Sequence, residues 1–121
     1  MFVQIMICLL MKGNQIGELE ELVLLAVGSL YQEGAYAVAI VEVIKESSRR
    51  LIDVTAIHSV LRRLEKKGYV KSTMGGATQE RGGRRKRYFN LTQEGRQVLE
   101  DVMAVRLSLY HKMPKLTFSI A

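Results

Sequence analysis

DVTAIHSVLRRLEKKGYV, residues Asp53 to Val70, decides how the rest of the chain is read. Ile57, Val60, Leu61 and Leu64 recur at i, i+3, i+4 and i+7, which brings them onto one side of an α-helix. Asp53 suits the N-cap. Gly68 suits the position just past the C-terminus, where left-handed backbone costs a glycine little. A helix is therefore expected over Asp53 to Lys67. Opposite the apolar stripe lie Thr55, Ser59, Arg62 and Lys66, flanked by His58 and Arg63. Small hydrogen-bonding residues come first and cations follow.

Downstream, Tyr69 to Met74 (YVKSTM) reads as a strand, Gly75 to Gly83 (GGATQERGG) as a loop, and Arg85 to Leu91 (RKRYFNL) as the returning strand. Two strands around a glycine-bearing loop make a hairpin. Its tip and second strand contain RGGRRKRYF, Arg81 to Phe89, with five cations and no acid. Neighbouring side chains on a strand face opposite ways, so Arg85 and Arg87 share one face and Lys86 and Tyr88 the other. Tyr88 and Phe89 read as hairpin packing rather than as base-stacking groups. The loop lacks the G-x-x-x-x-G-K-[ST] order of a phosphate-binding P-loop.

Upstream, Gly17 to Tyr31 (GELEELVLLAVGSLY) reads as a helix with Glu18, Glu20 and Glu21 at its positive end. Leu19, Leu22, Val23, Ala26 and Leu30 form its stripe. Leu24, Leu25 and Val27 add apolar surface on other sides, and Gly34 follows as a stop. Ala37 to Arg49 reads as a second helix on Ala37, Ile40, Val41 and Ile44, although its β-branched content would also suit a strand. Thr92 caps a last helix running to about Lys112, before Pro114, with Val98, Leu99, Val102, Val105 and Leu109 as its main stripe. Met103 and Leu107 extend that apolar surface beyond one core contact. The fold expected is mainly α with a small β hairpin: a winged helix-turn-helix followed by a C-terminal helix.

The chain has 121 residues and a net charge of +6. From Val60 to Asn90 ten Lys or Arg face only Glu65 and Glu80, giving +8, while the remainder sums to −2. Such a field favours a polyanion or an anionic membrane surface. The single cysteine, Cys8, excludes an internal disulfide, and His58 and His111 are too far apart in sequence for ligand spacing. With no glycine-bracketed serine, metal-ligand cluster or carboxylate pair, no enzyme, cofactor or metal is expected. Met1 to Met11 is apolar but shorter than the roughly 20 residues of a spanning helix, and it lacks the features of a signal peptide. It reads as an N-terminal extension, or else as an element that packs on a partner subunit. The chain is expected to be cytoplasmic, with no membrane partner.

A helix-turn-helix with a wing sets the third helix in the major groove of DNA and the wing against the backbone. Base-edge contacts fall to Thr55, His58, Ser59 and Arg62, with Arg63 and Lys66 adding charge along the same helix. Arg81, Arg84, Arg85, Lys86 and Arg87 are the wing's candidates for phosphate contacts.

IGELEELVLLAVGSL (Ile16 to Leu30), AIHSVLRRLEKKGYV (Ala56 to Val70) and ERGGRRKRYFNLTQEGRQVL (Glu80 to Leu99) resemble the first helix, recognition helix and wing of the PadR family of bacterial transcriptional regulators. The resemblance runs from about Met11 to Tyr110. It implies a homodimeric repressor of double-stranded DNA on a pseudo-palindromic operator, of the compact kind with one C-terminal helix. Pairing would run through the last helix with help from the first, with Leu24, Val98, Val102, Val105 and Leu109 as candidates. A small-molecule effector, where a family member takes one, would sit in an apolar cavity at the dimer interface. The implied organisation is an extension over 1–13, a DNA-binding domain over 14–91, a dimerisation helix over 92–113 and a tail over 114–121. The family often has glycine where Ala37 stands and tyrosine where His58 stands, and Met1 to Leu10 lies outside its pattern. Two other readings stay open: an RNA-binding winged helix, and a protein-interaction module whose basic wing meets an acidic partner.

Overall fold

The computed structural model describes residues 16–75 and 86–115. Its elements are α1 (Glu18–Ser29), α2 (Ala37–Ser48), α3 (Val54–Lys66), β1 (Val70–Met74), β2 (Arg87–Leu91) and α4 (Gln93–Lys112). The order helix, helix, helix, hairpin, helix is the one expected. Ala37–Ser48 is a helix despite its β-branched residues, because Ala37, Ile40 and Ile44 bury on one side against the other helices. Asp53 takes the N-cap position of α3, but its side chain makes no capping hydrogen bond.

One core joins the elements. Val23, Leu24 and Val27 of α1, Ile40 of α2, and Ile57, Val60, Leu61 and Leu64 of α3 are almost fully enclosed, with Tyr69, Val70 and Phe89 closing the hairpin side. The stripe of α1 is rotated from the expected one. Leu24 and Val27 are at its centre, while Leu19 and Leu22 are only half-buried. The reason is that α1 packs against α2, α3, β2 and α4 at once, so helical spacing alone does not single out one face.

β1 and β2 pair antiparallel, with Val70 opposite Leu91, Ser72 opposite Phe89 and Met74 opposite Arg87. The Gly75 amide donates to the Lys86 carbonyl at 2.7 Å, and the Phe89 amide donates to the Ala35 carbonyl at 2.8 Å. The second bond fastens the hairpin to the loop before α2.

The end of α3 is a Schellman turn. Gly68, at φ +82°, donates from its amide to the Glu65 carbonyl, and Tyr69 donates to that of Leu64. Thr92 then ties this turn to α4. Its hydroxyl donates to the Gly68 carbonyl at 2.6 Å and accepts from the Gly95 amide at 3.0 Å, while its own amide donates to the Tyr69 carbonyl at 3.0 Å. Gly95 packs directly on Tyr69: a Cβ there would stand 2.9 Å from the Tyr69 carbonyl carbon and closer still to the oxygen.

Charged contacts add alignment. The Glu20 carboxylate, 7% exposed, accepts from the Gly17 amide at 2.9 Å and from Lys67 Nζ at 2.9 and 3.1 Å. Glu21 takes a two-pronged contact from Arg106 of α4 at 2.7 and 3.0 Å. Arg50 pairs with Glu18. Burial pushes the Glu20 pKa up, but the Gly17 amide, Lys67 and the charge of Arg63 together outweigh it and hold the group below its ordinary value.

Gly95→Ala should lower stability by about 1–3 kcal/mol in urea unfolding, because backbone must move to admit the methyl. Gly68→Ala faces open space and should cost about 1–2 kcal/mol through its left-handed backbone alone. An unchanged urea midpoint for Gly95→Ala would contradict this packing. For Glu20, a lowered folded-state pKa means its contribution is full above the unfolded value, near 4.5, and is lost as pH falls through the folded one. The stability gap between the wild type and Glu20→Gln should therefore be widest at neutral pH and close on acidification below that value.

Candidate nucleic-acid interface

The buried stripe of α3 leaves the opposite side bare. Thr55, His58, Ser59, Arg62, Arg63 and Lys66 are all exposed. At 100° per residue they fall within a little under half of the helix circumference, so the structure gathers them on one face. Hydroxyl and imidazole groups occupy the first two turns and guanidinium and ammonium groups the last two. That ordering can present both donors and acceptors at one end and charge at the other.

Glu65, the one acid of this helix, is turned aside. Its Oε2 accepts from the Ser72 hydroxyl of β1 at 2.7 Å, and Arg87 Nη1 approaches Ser72 Oγ at 3.4 Å. Glu65 is thereby held against the hairpin. Lys67 points inward to Glu20, so of the cations that close α3 and its turn, Arg62, Arg63 and Lys66 make up the outer face.

The wing candidates divide. Lys86 and Arg87 are exposed where β2 begins, at the outer end of the described hairpin. Arg81, Arg84 and Arg85 lie outside the described residues, as does most of the loop GGATQERGG. Lys86 and Tyr88 share a side, as the alternation requires: Lys86 Nζ stands 4.2 Å from the centroid of the Tyr36 ring, and Tyr88 meets that ring edge-on at 5.9 Å. Phe89 is 4% exposed and Tyr88 is half-buried, so both pack the hairpin as expected.

The candidates for self-association also divide. Leu24 and Val98, 0% and 5% exposed, lie in this chain's own core and offer a partner nothing, which corrects the expectation for those two. Val102 is half-buried, and Val105 and Leu109 are open. The second half of α4 also exposes Leu107 and Tyr110, Met113 is exposed just past its end, and α1 exposes Leu25. Between α1, the end of β2 and α4 runs an open groove of about 960 Å³, with Leu25, Tyr31, Leu91, Leu99 and Met103 on its walls.

Tyr36 was not singled out from the sequence, and Glu20 and Glu21 were read only as acids at a helix start, not as partners that tie cations inward. Glu20 meets Lys67 across 47 positions and Glu21 meets Arg106 across 85, separations at which no periodicity speaks. Among the described residues no group of three or more His, Cys, Asp or Glu could hold a metal ion. No described helix is long and apolar enough to cross a membrane.

No curated protein was found to match the chain. Solved structures do match. A PadR family transcriptional regulator from Eggerthella lenta is 27% identical, over 91% of this chain and 87% of that one, with a TM-score of 0.58. A transcriptional regulator from Streptococcus is 26% identical, over 85% and 91%, with a TM-score of 0.61. A PadR family transcription regulator from Clostridium difficile is 24% identical, over 78% and 93%, with a TM-score of 0.62, and speaks for the fold alone. The family model of the transcriptional regulator PadR-like family matches residues 24–101, which hold α3, the hairpin and the junction with α4, and the chain belongs to that family.

Proposed function

We propose that the chain is a repressor that binds duplex DNA as a homodimer, one α3 in the major groove of each half of a pseudo-palindromic operator. The observation that carries this reading is the outer face of α3, where Thr55, His58, Ser59, Arg62, Arg63 and Lys66 stand exposed together with no acid among them. Hydroxyl, imidazole and guanidinium groups can read base edges, and Lys66 and Arg63 can reach phosphates. The hairpin continues the charge, with Lys86 and Arg87 at the outer end of its described strands and Arg81, Arg84 and Arg85 in the sequence of its tip. In this reading residues 14–91 are the DNA-binding unit and 92–113 the dimerisation helix, flanked by the 1–13 extension and the 114–121 tail.

The open apolar half of α4 supports self-association. Val105, Leu107, Leu109, Tyr110 and Met113 are each more than half exposed, a density of apolar surface that ordinarily marks an interface. A second copy would cover it, with Leu25 adding to the seam. A small-molecule effector would enter the groove between α1 and α4, where Tyr31 and Arg96 offer polar groups among apolar walls.

A gel shift with generic duplex across a salt series tests the reading. Affinity should fall steeply with salt, and replacing Arg84 and Arg85 together by alanine should flatten the log–log slope by roughly 2. Arg62→Ala should cost about 1–3 kcal/mol at one base-pair position and leave the slope almost unchanged, or lower it by at most about 1. Weak binding with a shallow salt slope would count against DNA as the partner and favour the protein-interaction reading. For the dimer, sedimentation should give twice the chain mass at micromolar concentration, and Val105→Glu with Leu109→Glu should give a folded monomer. A wild-type monomer at tens of micromolar (on the order of where a working dimer must persist) would remove the dimer from the proposal.

A further inference from the structure

The hairpin leaves the body of the chain at an aromatic cluster. The Tyr88 ring lies in a slot between two glycines: a Cβ on Gly34 would stand 2.8 Å from its Cε1, and one on Gly75 would stand 2.5 Å from its Cε2. Gly34 is at φ +100°, so both space and backbone call for glycine there. The ring then meets Tyr36 edge-on, with centroids 5.9 Å apart and planes at 84°. Tyr36 also meets Lys86, whose Nζ lies over the ring, 4.2 Å from its centroid. Tyr36 is also the residue from which α2 starts, and its carbonyl accepts the first helical bond, from Ile40. One side chain at the head of the helix-turn-helix thus touches both an anchoring aromatic of the wing and the first described cation of its returning side.

A two-stranded ribbon is marginal by itself and does not hold its own direction. What directs this one is its contact with the body, and the outermost described pair of the hairpin is Gly75 with Lys86. A carboxylate could have held Lys86 at that point, but it would have cancelled the charge. A ring face holds a cation through its quadrupole and leaves the full charge to act on an anion.

We infer that Tyr36 is a positioning residue for the wing: it braces Tyr88, holds Lys86 without neutralising it, and fixes the angle at which the wing's cations leave the body relative to the exposed face of α3. The inference rests on duplex DNA being the partner. Its consequence is that wing and recognition helix engage one duplex as a rigid pair, so loss of the ring weakens the wing's share of binding and leaves base preference alone.

The test has one readout without DNA and one with it. In the proton NMR spectrum the ε-methylene of Lys86 should lie upfield of an ordinary lysine in the wild type and in Tyr36→Phe, and return to the ordinary position in Tyr36→Leu. On generic duplex, Tyr36→Leu should bind roughly three- to tenfold more weakly with a shallower salt slope. Tyr36→Phe should match the wild type in both, and urea midpoints should show all three folded. Gly75→Ala, which crowds Tyr88 from the wing side, should act in the same direction as Tyr36→Leu. An ordinary Lys86 shift in the wild type overturns the inference whatever DNA does. A shifted Lys86 with unchanged duplex binding by Tyr36→Leu also overturns it, while leaving the DNA reading intact. A wild type that ignores duplex overturns both.

Discussion

Everything that faces outward in this chain hangs from one junction, the meeting of Gly68, Tyr69, Thr92 and Gly95. Four short connections converge there. The Schellman turn ends α3 and aims β1. The Thr92 hydroxyl caps α4 and at the same time grips the turn through the Gly68 carbonyl. The Thr92 amide closes the base of the hairpin on Tyr69. Gly95 lets the first turn of α4 lie directly against that same backbone, where any side chain would intrude. Hydrogen bonds of this kind each contribute about 1 kcal/mol, but their geometry does more than their sum. They make the direction of the hairpin, the axis of α3 and the start of α4 functions of one another.

The charges are arranged to a related end. Acids concentrate on α1, and each of its three finds a cation on another element: Glu18 with Arg50, Glu20 with Lys67 and Glu21 with Arg106. Glu20 and Glu21 are nearly buried, and removing an ionised carboxylate from water is costly unless partners surround it. Such pairs add little net stability, yet they penalise misalignment, because a shifted helix would strand a charge. The same placement removes acids from the outer face of α3. Glu65, which could have softened that face, is held by Ser72 against the hairpin. The charge of Arg62, Arg63 and Lys66 therefore reaches solvent little diminished.

Much of this was legible in the sequence, and the reason is periodicity. The run Ile57, Val60, Leu61, Leu64 named the inner face of α3, and so by subtraction its outer one, because that helix buries a single side. The hairpin and its alternation were legible for the same reason: a half-buried strand reports its two faces in turn. α1 was less so. Apolar on most sides, it carries no phase that says which residues go deepest, and Leu24 proved central where Leu22 is only half-buried. The dimer candidates failed at Leu24 and Val98 for a like reason, since apolar character does not say whether a residue faces its own core or a neighbour's. Tyr36 was invisible because a lone tyrosine in a connecting segment has no pattern; its role exists only once Lys86 and Tyr88 are brought beside it.

The imbalance of α4 sets how folding and assembly must relate. The helix has 20 residues and spans roughly 30 Å. Its first turns, through Gly95, Val98 and Leu99, are enclosed by the described residues of the chain. Beyond Val102 its one cross-element ion pair among the described residues is Arg106 with Glu21, while Val105, Leu107, Leu109, Tyr110 and Met113 stay open. Helical propensity alone is marginal over three turns in water, so this half gains its order mainly from whatever covers it. If that cover is a second copy, ordering of the distal helix and pairing are one equilibrium, and apparent stability rises with chain concentration. The junction at Thr92 then transmits the result. A distal helix fixed by a partner fixes the direction of α4 at Gly95, and through Tyr69 and Gly68 the axis of α3, so the spacing between two recognition helices would be set by how two copies of α4 meet.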